Sequence, residues 1–311
     1  MISALFSPFT YFIKDRSIET PQSPTYELVY QDTYARLVLL KNPLTRGSIA
    51  IEARDEKKLS EWDENQHKQT HNLLRKVIAV WKDKGIDDYL IYSKGSPLSS
   101  HRFEIVPYEK KGFSILQQFR VLWSVIFGGR LRTSSEQKNT LEYFQSSLVR
   151  LKEENILPEH RINHVASCNF CKQEVINRQC VYEGKKIRIL YNYAPIVLGK
   201  DKLHFLMVPK EHREAFTDLT SEEYLETMAL AKQLIDTFQK EGYHTAYTLN
   251  KTGKRAGQSV PHSHEHLIFT SSKTQEVFGK LMVLKNMLIG AWQLPKDELK
   301  VRVENLKKKL N

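Results

Sequence analysis

The chain has 311 residues, more than one small hydrophobic core needs, which favours two domains or one domain with a large extension. Hydrophobic residues make up 41% and charged residues 27%, a composition that excludes a disordered chain. Lys plus Arg number 47 against 36 for Asp plus Glu, so the formal net charge is +11. This excess favours anionic partners, but it does not choose among nucleotides, phosphosugars, nucleic acid and a membrane surface.

Cysteine usage and hydropathy bear on the compartment. Three cysteines are too few for a disulfide framework in a chain of this length. The stretch MISALFSPFTYFIKDRS lacks the basic start and long apolar core of a secretory signal. The most apolar later stretch, Phe113 to Gly129, is too short and too polar to span a bilayer, so we interpret it as a buried or interfacial helix. A cytoplasmic protein without a membrane partner is expected.

A strand–strand–helix–strand–strand unit is predicted from Tyr191 to Phe269. Its strands are APIVL, LHFLMVP, AYTLN and a final segment rich in histidine. Thr220 and Glu223 form the pattern of a capping box at the start of the helix, and Gly242 follows its end.

The stretch from Tyr30 to Pro107 has the same order of elements, with strands ARLVLL, GSIAIEA, YLIYS and SSHRFEIVP. Aligning His101 with His264 places Phe103 on His266. We therefore predict an internal duplication whose first copy has lost two of three histidines. The alternative is that any two units of this kind look alike at this level of detail.

The remaining segments are predicted to be helical. Phe113 to Ile162 contains two helices around a Gly-Gly break, with Ser134 and Gln137 capping the second, and two more are predicted for Lys273–Trp292 and Pro295–Leu310. The predicted division is a degenerate first copy (1–112), a helical linker (113–165), and a second copy with C-terminal helices (166–311).

Three histidines alternate in the segment GQSVPHSHEHLIF. In an extended strand, side chains two residues apart share one face, so His262, His264 and His266 form a row of imidazoles. Such a row offers a ligand, a nucleophile and a proton relay in fixed register. The segment before it contains Gly253 and Gly257, which permit a tight turn whose N–H groups can converge on a phosphate.

The pair CNFC, Cys168 and Cys171, is compatible with a zinc site, a redox pair or chance. Zinc needs two further ligands, and the candidates are His212 and His262, which both follow strand-like segments. Cys180 has no partner in this scheme and is predicted to be a buried thiol.

Together, GQSVPHSHEHLIF, CNFCK and LHFLMVPKEH resemble the motifs of the histidine-triad (HIT-like) superfamily, over Cys168 to about Phe269. The resemblance implies an α+β fold, with an antiparallel sheet flanked by helices and here two tandem copies, the first degenerate. It also implies a nucleotidyl hydrolase or transferase that acts at the α-phosphate of a nucleotide or nucleotide conjugate.

The resemblance assigns a role to individual residues. His264 would be the nucleophile, and His266 would hydrogen-bond the transferred phosphoryl group or relay protons. The implied ligands of a structural Zn²⁺ are Cys168, Cys171, His212 and His262, and the implied substrate-binding residues are Asn250, Gly257, Gln258 and Ser259. Two positions depart from the family: Lys251 stands where an Asn is usual, and Ile196 where an Asp often grips ribose.

The tandem arrangement is similar to galactose-1-phosphate uridylyltransferase and the dinucleoside tetraphosphate phosphorylases. Those transferases typically carry Gln at the third triad position, so His266 favours a hydrolase with a covalent histidine–phosphoryl intermediate. A nucleotidyltransferase or dinucleoside polyphosphate phosphorylase, and a zinc-stabilised nucleotide-binding scaffold without catalysis, are the alternatives. Nucleic acid is not an expected partner. The chain is expected to be a monomer that forms an internal pseudo-dimer, or a homodimer.

Overall fold

The structure is a computed structural model that describes residues 26–55, 57, 61–95, 102–111, 114–127, 129, 131–151, 165, 167–196, 202–271 and 292–310. The strands of the first half are β1 (Tyr26–Gln31), β2 (Ala35–Leu40), β3 (Ile49–Ala53), β4 (Asp88–Gly95) and β5 (Arg102–Tyr108). Those of the second half are β6 (Cys180–Glu183), β7 (Ile187–Tyr191), β8 (His204–Pro209), β9 (Thr245–Thr252) and β10 (Glu265–Thr270). The described helices are α1 (Glu64–Lys82), α2 (Ser114–Phe127), α3 (Ser134–Arg150), α4 (Gln173–Gln179), α5 (Ser221–Gln239) and α6 (Lys296–Leu310).

All ten described strands form one antiparallel sheet in the order β1-β2-β3-β5-β4-β9-β10-β8-β7-β6. Read outward from the β4–β9 pair, the two halves have the same strand order. The helices α1 and α5 have 19 residues each, begin with capping boxes at Asp63 and Thr220, and contact each other. The predicted α+β fold with an antiparallel sheet and helices is confirmed, and the repeated order supports the predicted duplication. The domain boundaries stay a prediction.

The strand register corrects the alignment of the two halves by one residue. Each outer strand has a bulge, between Leu28 and Tyr30 in β1 and between Cys180 and Tyr182 in β6, and these bulges define equivalent positions. Paired residues then run across the first half as Tyr30–Leu37–Ile51–Phe103 and across the second as Tyr182–Ile189–Met207–Glu265.

Phe103 is therefore equivalent to Glu265, and its neighbours Arg102 and Glu104 are equivalent to His264 and His266. The expected match of Phe103 with His266 is wrong, because the two side chains lie on opposite faces of the sheet. His101 lies outside the described residues.

One face of the sheet carries the main core and the other carries the imidazoles. Helices α1, α3, α5 and α6 cover the first face, where Phe103 and Ile105 pack in one cluster with Leu267 and Phe269. Because side chains alternate along a strand, residues of even number in β8 and β10 point to the second face. The segment Cys168–Cys171 and α2 lie on that face, and the imidazole row lies between them.

The first half has no imidazole row at the equivalent place. Glu104 is buried there, and its Oε1 accepts a hydrogen bond of 2.5 Å from the N–H of Leu44. The guanidinium of Arg132 donates to the carbonyl oxygens of Leu40 (3.2 Å) and Arg46 (2.9 Å). These contacts join the β2–β3 connection to β5 and to the segment before α3, so Glu104 and the two Nη groups of Arg132 are bonded within the protein.

Two local predictions differ from the structure. The run APIVL is not a strand over its described part, residues 194–196; the strand is Ile187–Tyr191, and Pro195 has no N–H for a ladder. The second cap is formed by Thr133 with Glu136, one residue earlier than predicted. The capping box at Thr220 and the C-terminal helix are confirmed. Residues 273–291, also predicted to be helical, lie outside the described part.

The helices that the structure describes include none that is both long enough and apolar enough to cross a membrane.

Candidate active site

The imidazole row lies where β10 begins, near the middle of the sheet. His262 and His264 precede the strand, and His266 is its second residue, paired with Leu206 of β8. The rings of His264 and His266 lie 4.8 Å apart, and Phe170 packs edge-on against His264 at 5.1 Å. His262 and His264 are buried, whereas His266 is partly exposed. The structure therefore brings the three predicted histidines together on one face.

Hydrogen bonds fix the tautomer of His264. Its Nδ1 lies 2.7 Å from the carbonyl oxygen of His262, and a carbonyl oxygen only accepts, so Nδ1 carries the proton. Burial lowers the pKa of His264 to about 4, and the ring is neutral at pH 7. The lone pair of Nε2 is therefore available, which is what a nucleophile that attacks phosphorus needs.

A fourth histidine, His204, belongs to the same cluster and was missed in the sequence. Its Nδ1 accepts a hydrogen bond from the N–H of Ile196 (3.0 Å), so its proton is on Nε2. That Nε2 lies 2.9 Å from Nδ1 of His266, to which it donates. His266 in turn keeps its proton on Nε2, as a donor for a ligand. The letters LHFLMVP contain His204, but only the pairing of β8 with β10 shows that it faces the row.

Position 196 thus contributes a main-chain N–H to the site rather than a carboxylate. Burial lowers the pKa of His204 to about 3, which keeps this ring neutral as well.

Asn250 and Lys251 lie on opposite faces of β9. Asn250 is buried on the helix-covered face, and its Nδ2 lies 3.4 Å from both Ser263 Oγ and the carbonyl oxygen of His264. Its side chain thus holds the main chain of the imidazole row. This placement differs from the predicted substrate contact, because alternation along the strand turns Lys251, not Asn250, toward the imidazoles.

The glycine turn before the row is held by its own hydrogen bonds. Gly253 and Gly257 have φ angles of +86° and +82°, which favour glycine. The N–H groups of Gly257 and Gln258 donate to the carbonyl oxygens of Lys254 and Gly253 (3.1 and 3.2 Å), and Gln258 Oε1 accepts from the N–H of Gly253 (2.8 Å). Gly257 and Gln258 therefore stabilise the turn, whereas Ser259 is exposed at its end. A phosphate contact from this turn stays a prediction.

The four residues predicted to bind metal form one buried group. Their ligand atoms all lie within 4.8 Å of one another in a cluster of Cys168, Cys171, His212 and His262. Cys168 Sγ lies 3.4 Å from Nδ1 of His262, and Cys171 Sγ lies 3.5 Å from Nδ1 of His212. Cys180 is not part of the group and is buried, as predicted.

The donor set fits a tetrahedral metal ion. Zn–S bonds of about 2.3 Å and Zn–N bonds of about 2.0 Å at tetrahedral angles place sulfur and nitrogen about 3.5 Å apart. The Nε2–H of His262 donates to the carbonyl oxygen of Pro209 (3.1 Å), which leaves Nδ1 free to bind a metal. Two thiols and two imidazoles are the set that zinc prefers in closed structural sites.

Glu265 lies behind the imidazole row, buried on the helix-covered face, and burial raises its pKa to about 8. An unfolded Glu ionises near pH 4.5, so the folded state binds more protons between these values and its stability falls as the pH rises from 4.5 to 8. Relative to the wild type, Glu265→Gln should therefore gain about 4 kcal/mol of unfolding free energy between pH 5 and pH 8.5. Urea titrations at both pH values measure this. Glu142→Gln is the control, because its carboxylate is exposed on α3 and screened by solvent. An equal change of unfolding free energy in both variants contradicts the assignment.

Comparison with known proteins identifies the family. A family model described as the HIT domain matches residues 173–273. An uncharacterized HIT-like protein of Methanocaldococcus jannaschii is 31% identical over 105 residues, which cover 32% of this chain and 77% of that protein. The chain belongs to the HIT family.

Another HIT relative, the adenosine 5'-monophosphoramidase of Saccharomyces cerevisiae, is 33% identical over 104 residues, covering 33% of this chain and 62% of the relative. Among solved structures, a uridylyltransferase aligns with 93% of this chain and 82% of its own at a TM-score of 0.51 and 13% identity. The HIT sequence match is confined to the second half of the chain, whereas the likeness of fold to the uridylyltransferase extends over both halves.

Proposed function

We propose that this HIT protein is a nucleotidyl hydrolase that cleaves at the α-phosphate of a nucleotide conjugate, with His264 as the nucleophile. The observation that carries the proposal is the hydrogen bond from His264 Nδ1 to the carbonyl oxygen of His262. This bond keeps the proton of the neutral ring on Nδ1, so the lone pair of Nε2 is unused, and a second imidazole, His266, lies beside it.

In the first step, His264 Nε2 forms a bond to phosphorus while the bond from phosphorus to the leaving group breaks. The phosphorylated ring keeps its Nδ1 proton and becomes cationic, and the carbonyl oxygen of His262 stabilises that charge. His266, held by His204, presents its Nε2–H to a phosphoryl oxygen or to the leaving group. In the second step, water attacks phosphorus while the bond from phosphorus to His264 Nε2 breaks. The water loses a proton to solvent, and the nucleoside monophosphate and neutral imidazole are released.

The substrate class rests on the relatives. The yeast relative is named as an adenosine 5'-monophosphoramidase, and a phosphoramidate bond joins its leaving group to the α-phosphorus, the atom that this mechanism attacks. His at position 266, where related transferases typically carry Gln, favours water as the acceptor.

A nucleotidyltransferase is the second candidate, because both halves of the chain align with a uridylyltransferase fold. In that case a second phosphate, rather than water, would attack the phosphorylated histidine. A binding scaffold without catalysis is the third candidate, which the first half's missing imidazoles favour.

We also propose that the Cys₂His₂ group holds a structural Zn²⁺. The separations between sulfur and nitrogen and the fixed tautomer of His262 support it. A bound ion would tie the segment Cys168–Cys171 to β8 and to the start of the imidazole row.

Rapid quenching of the protein with phosphorus-labelled adenosine phosphoramidate, dinucleoside triphosphate and nucleotide sugars tests the function. A hydrolase should show a burst of one leaving-group equivalent per site, acid-labile label on the protein, and AMP or UMP as the final product. Formation of a nucleoside diphosphate or a new nucleotide sugar when phosphate or a hexose 1-phosphate is added would support the transferase instead. Nucleotide binding with no burst and no label on the protein would support the non-catalytic scaffold instead.

A further inference from the structure

Lys251 lies on the imidazole face, on the strand next to the row. The pairing of Glu265 with Asn250, continued by one residue, sets Lys251 directly opposite His264. Side chains that are directly opposite each other on one face have Cβ atoms about 5 Å apart. On its other side Lys251 is paired with Leu90 of β4. Two neighbouring strands therefore anchor this ammonium group beside the proposed nucleophile.

None of the acidic residues that the structure describes acts as a counter-ion for Lys251. Its strand neighbours Leu90 and Leu249 belong to an apolar cluster with Val106 and Ala256. Burial lowers the pKa of Lys251, and no acidic group acts against this effect. Within the part of the chain that the structure describes, its Nζ forms no ion pair or hydrogen bond. A partly buried cation without a partner costs folding free energy, so its presence needs another explanation.

The charge balance of the site supplies that explanation. Nδ1 of His204 accepts a hydrogen bond from the N–H of Ile196, and Nδ1 of His266 accepts one from His204, so both rings are neutral. These two imidazoles therefore contribute no formal charge, and an anion bound beside them would have Lys251 as the ammonium group directly across the strand pair from His264. An ammonium in a poorly hydrated place interacts with an anion more strongly than one in water.

We propose that Lys251 is a phosphate-binding residue whose ammonium group contacts an oxygen of the nucleotide's phosphate and so selects nucleotides over nucleosides. The role of Lys251 rests on the proposed function, which identifies the bound anion as a nucleotide. It adds to that function a residue that recognises the substrate by its charge and lies on β9, outside the imidazole row. It also explains why the first face of β9 carries the structural amide Asn250 while the second carries a charge.

The test compares Lys251→Met, which keeps the length of the side chain and removes its charge, with Lys254→Met. Lys254 is exposed on the glycine turn three residues away, where solvent screens its charge, so it is a matched control. Calorimetric titration measures the affinity of each variant for AMP and for adenosine. We expect Lys251→Met to weaken AMP binding about 10- to 100-fold and to change adenosine binding less than about threefold. Lys254→Met should change neither by more than about threefold.

The melting temperature separates binding from a structural role. Removal of an unpaired buried charge should raise it in Lys251→Met, whereas loss of a structural contact would lower it. An AMP affinity within threefold of wild type, or equal losses for AMP and adenosine, overturns the proposal. If the wild type binds AMP in a Lys251-dependent way but forms no labelled intermediate, this proposal stands and the hydrolase does not. If it binds neither AMP nor adenosine, both are wrong.

Discussion

Replacing His264 with alanine is expected to lower turnover by about 10⁴-fold or more, because the lone pairs of the neighbouring imidazoles point elsewhere. His262 directs its Nδ1 lone pair into the Cys₂His₂ group. In His204 the Nδ1 lone pair accepts from Ile196, and in His266 it accepts from His204. Steady-state rates with the best substrate of the panel, together with loss of the acid-labile label, measure the effect.

The same variant should remain folded and keep its metal. The His264 ring bonds to the carbonyl oxygen of His262 and packs on Phe170, but it is not one of the four clustered ligands. We expect a loss of about 1–3 kcal/mol in unfolding free energy and unchanged metal content. His244→Ala, at an exposed histidine just before β9, is the matched control and should retain wild-type turnover. Wild-type rates in His264→Ala would remove the nucleophile from the mechanism.

The sequence was sufficient for the fold class and for the row itself. Both depend on short-range regularities: alternation placed three imidazoles on one face, and helical spacing with a capping box located α5. The Cys and His residues of the clustered group were also identified, since CNFC is a local pair and His212 and His262 both follow strand-like segments.

The relation between the two halves was harder to predict, because register depends on partners far away in the sequence. The expected alignment rests on a shared histidine, but the connection from β9 to β10 is longer than that from β4 to β5. Loops accept such differences in length at little cost in free energy. Only the two bulges and the pairs between them define the true equivalence. The shift by one residue exchanges faces, which is why Arg102 and Glu104 occupy the positions of the imidazoles.

His204 and Lys251 were missed as members of the site for the same reason. Each lies on a strand adjacent to β10, and nothing local to LHFLMVP or LNKT shows which residue faces the row. The tautomers of the four histidines could not be predicted from the sequence either. They depend on the carbonyl and N–H groups that lie within 3.1 Å of each ring in the folded chain.

His212→Ala and Cys171→Ser are expected to abolish binding of the proposed Zn²⁺ and to destabilise the protein by several kcal/mol, up to about 10 kcal/mol. Each leaves three ligands around a closed site, and the segment Cys168–Cys171 is held on the sheet mainly by this group and a small apolar cluster. Metal content by mass spectrometry and thermal melting with and without a chelator measure both effects. Cys180→Ala is the matched control: it is a buried cysteine outside the group and should keep the metal.

Loss of the metal should also change the protonation of the nucleophile His264, because His262 connects the two sites. In the proposed zinc site His262 would supply a ligand nitrogen, and its carbonyl oxygen holds the proton of His264 on Nδ1. If the ring of His262 is released, that carbonyl is no longer fixed, and His264 is free to place its proton on Nε2, where it blocks attack. Turnover of the chelated protein should therefore fall even at temperatures where its sheet remains folded, and zinc should restore it. Full activity after complete removal of the metal would show that the imidazole row keeps its geometry unaided.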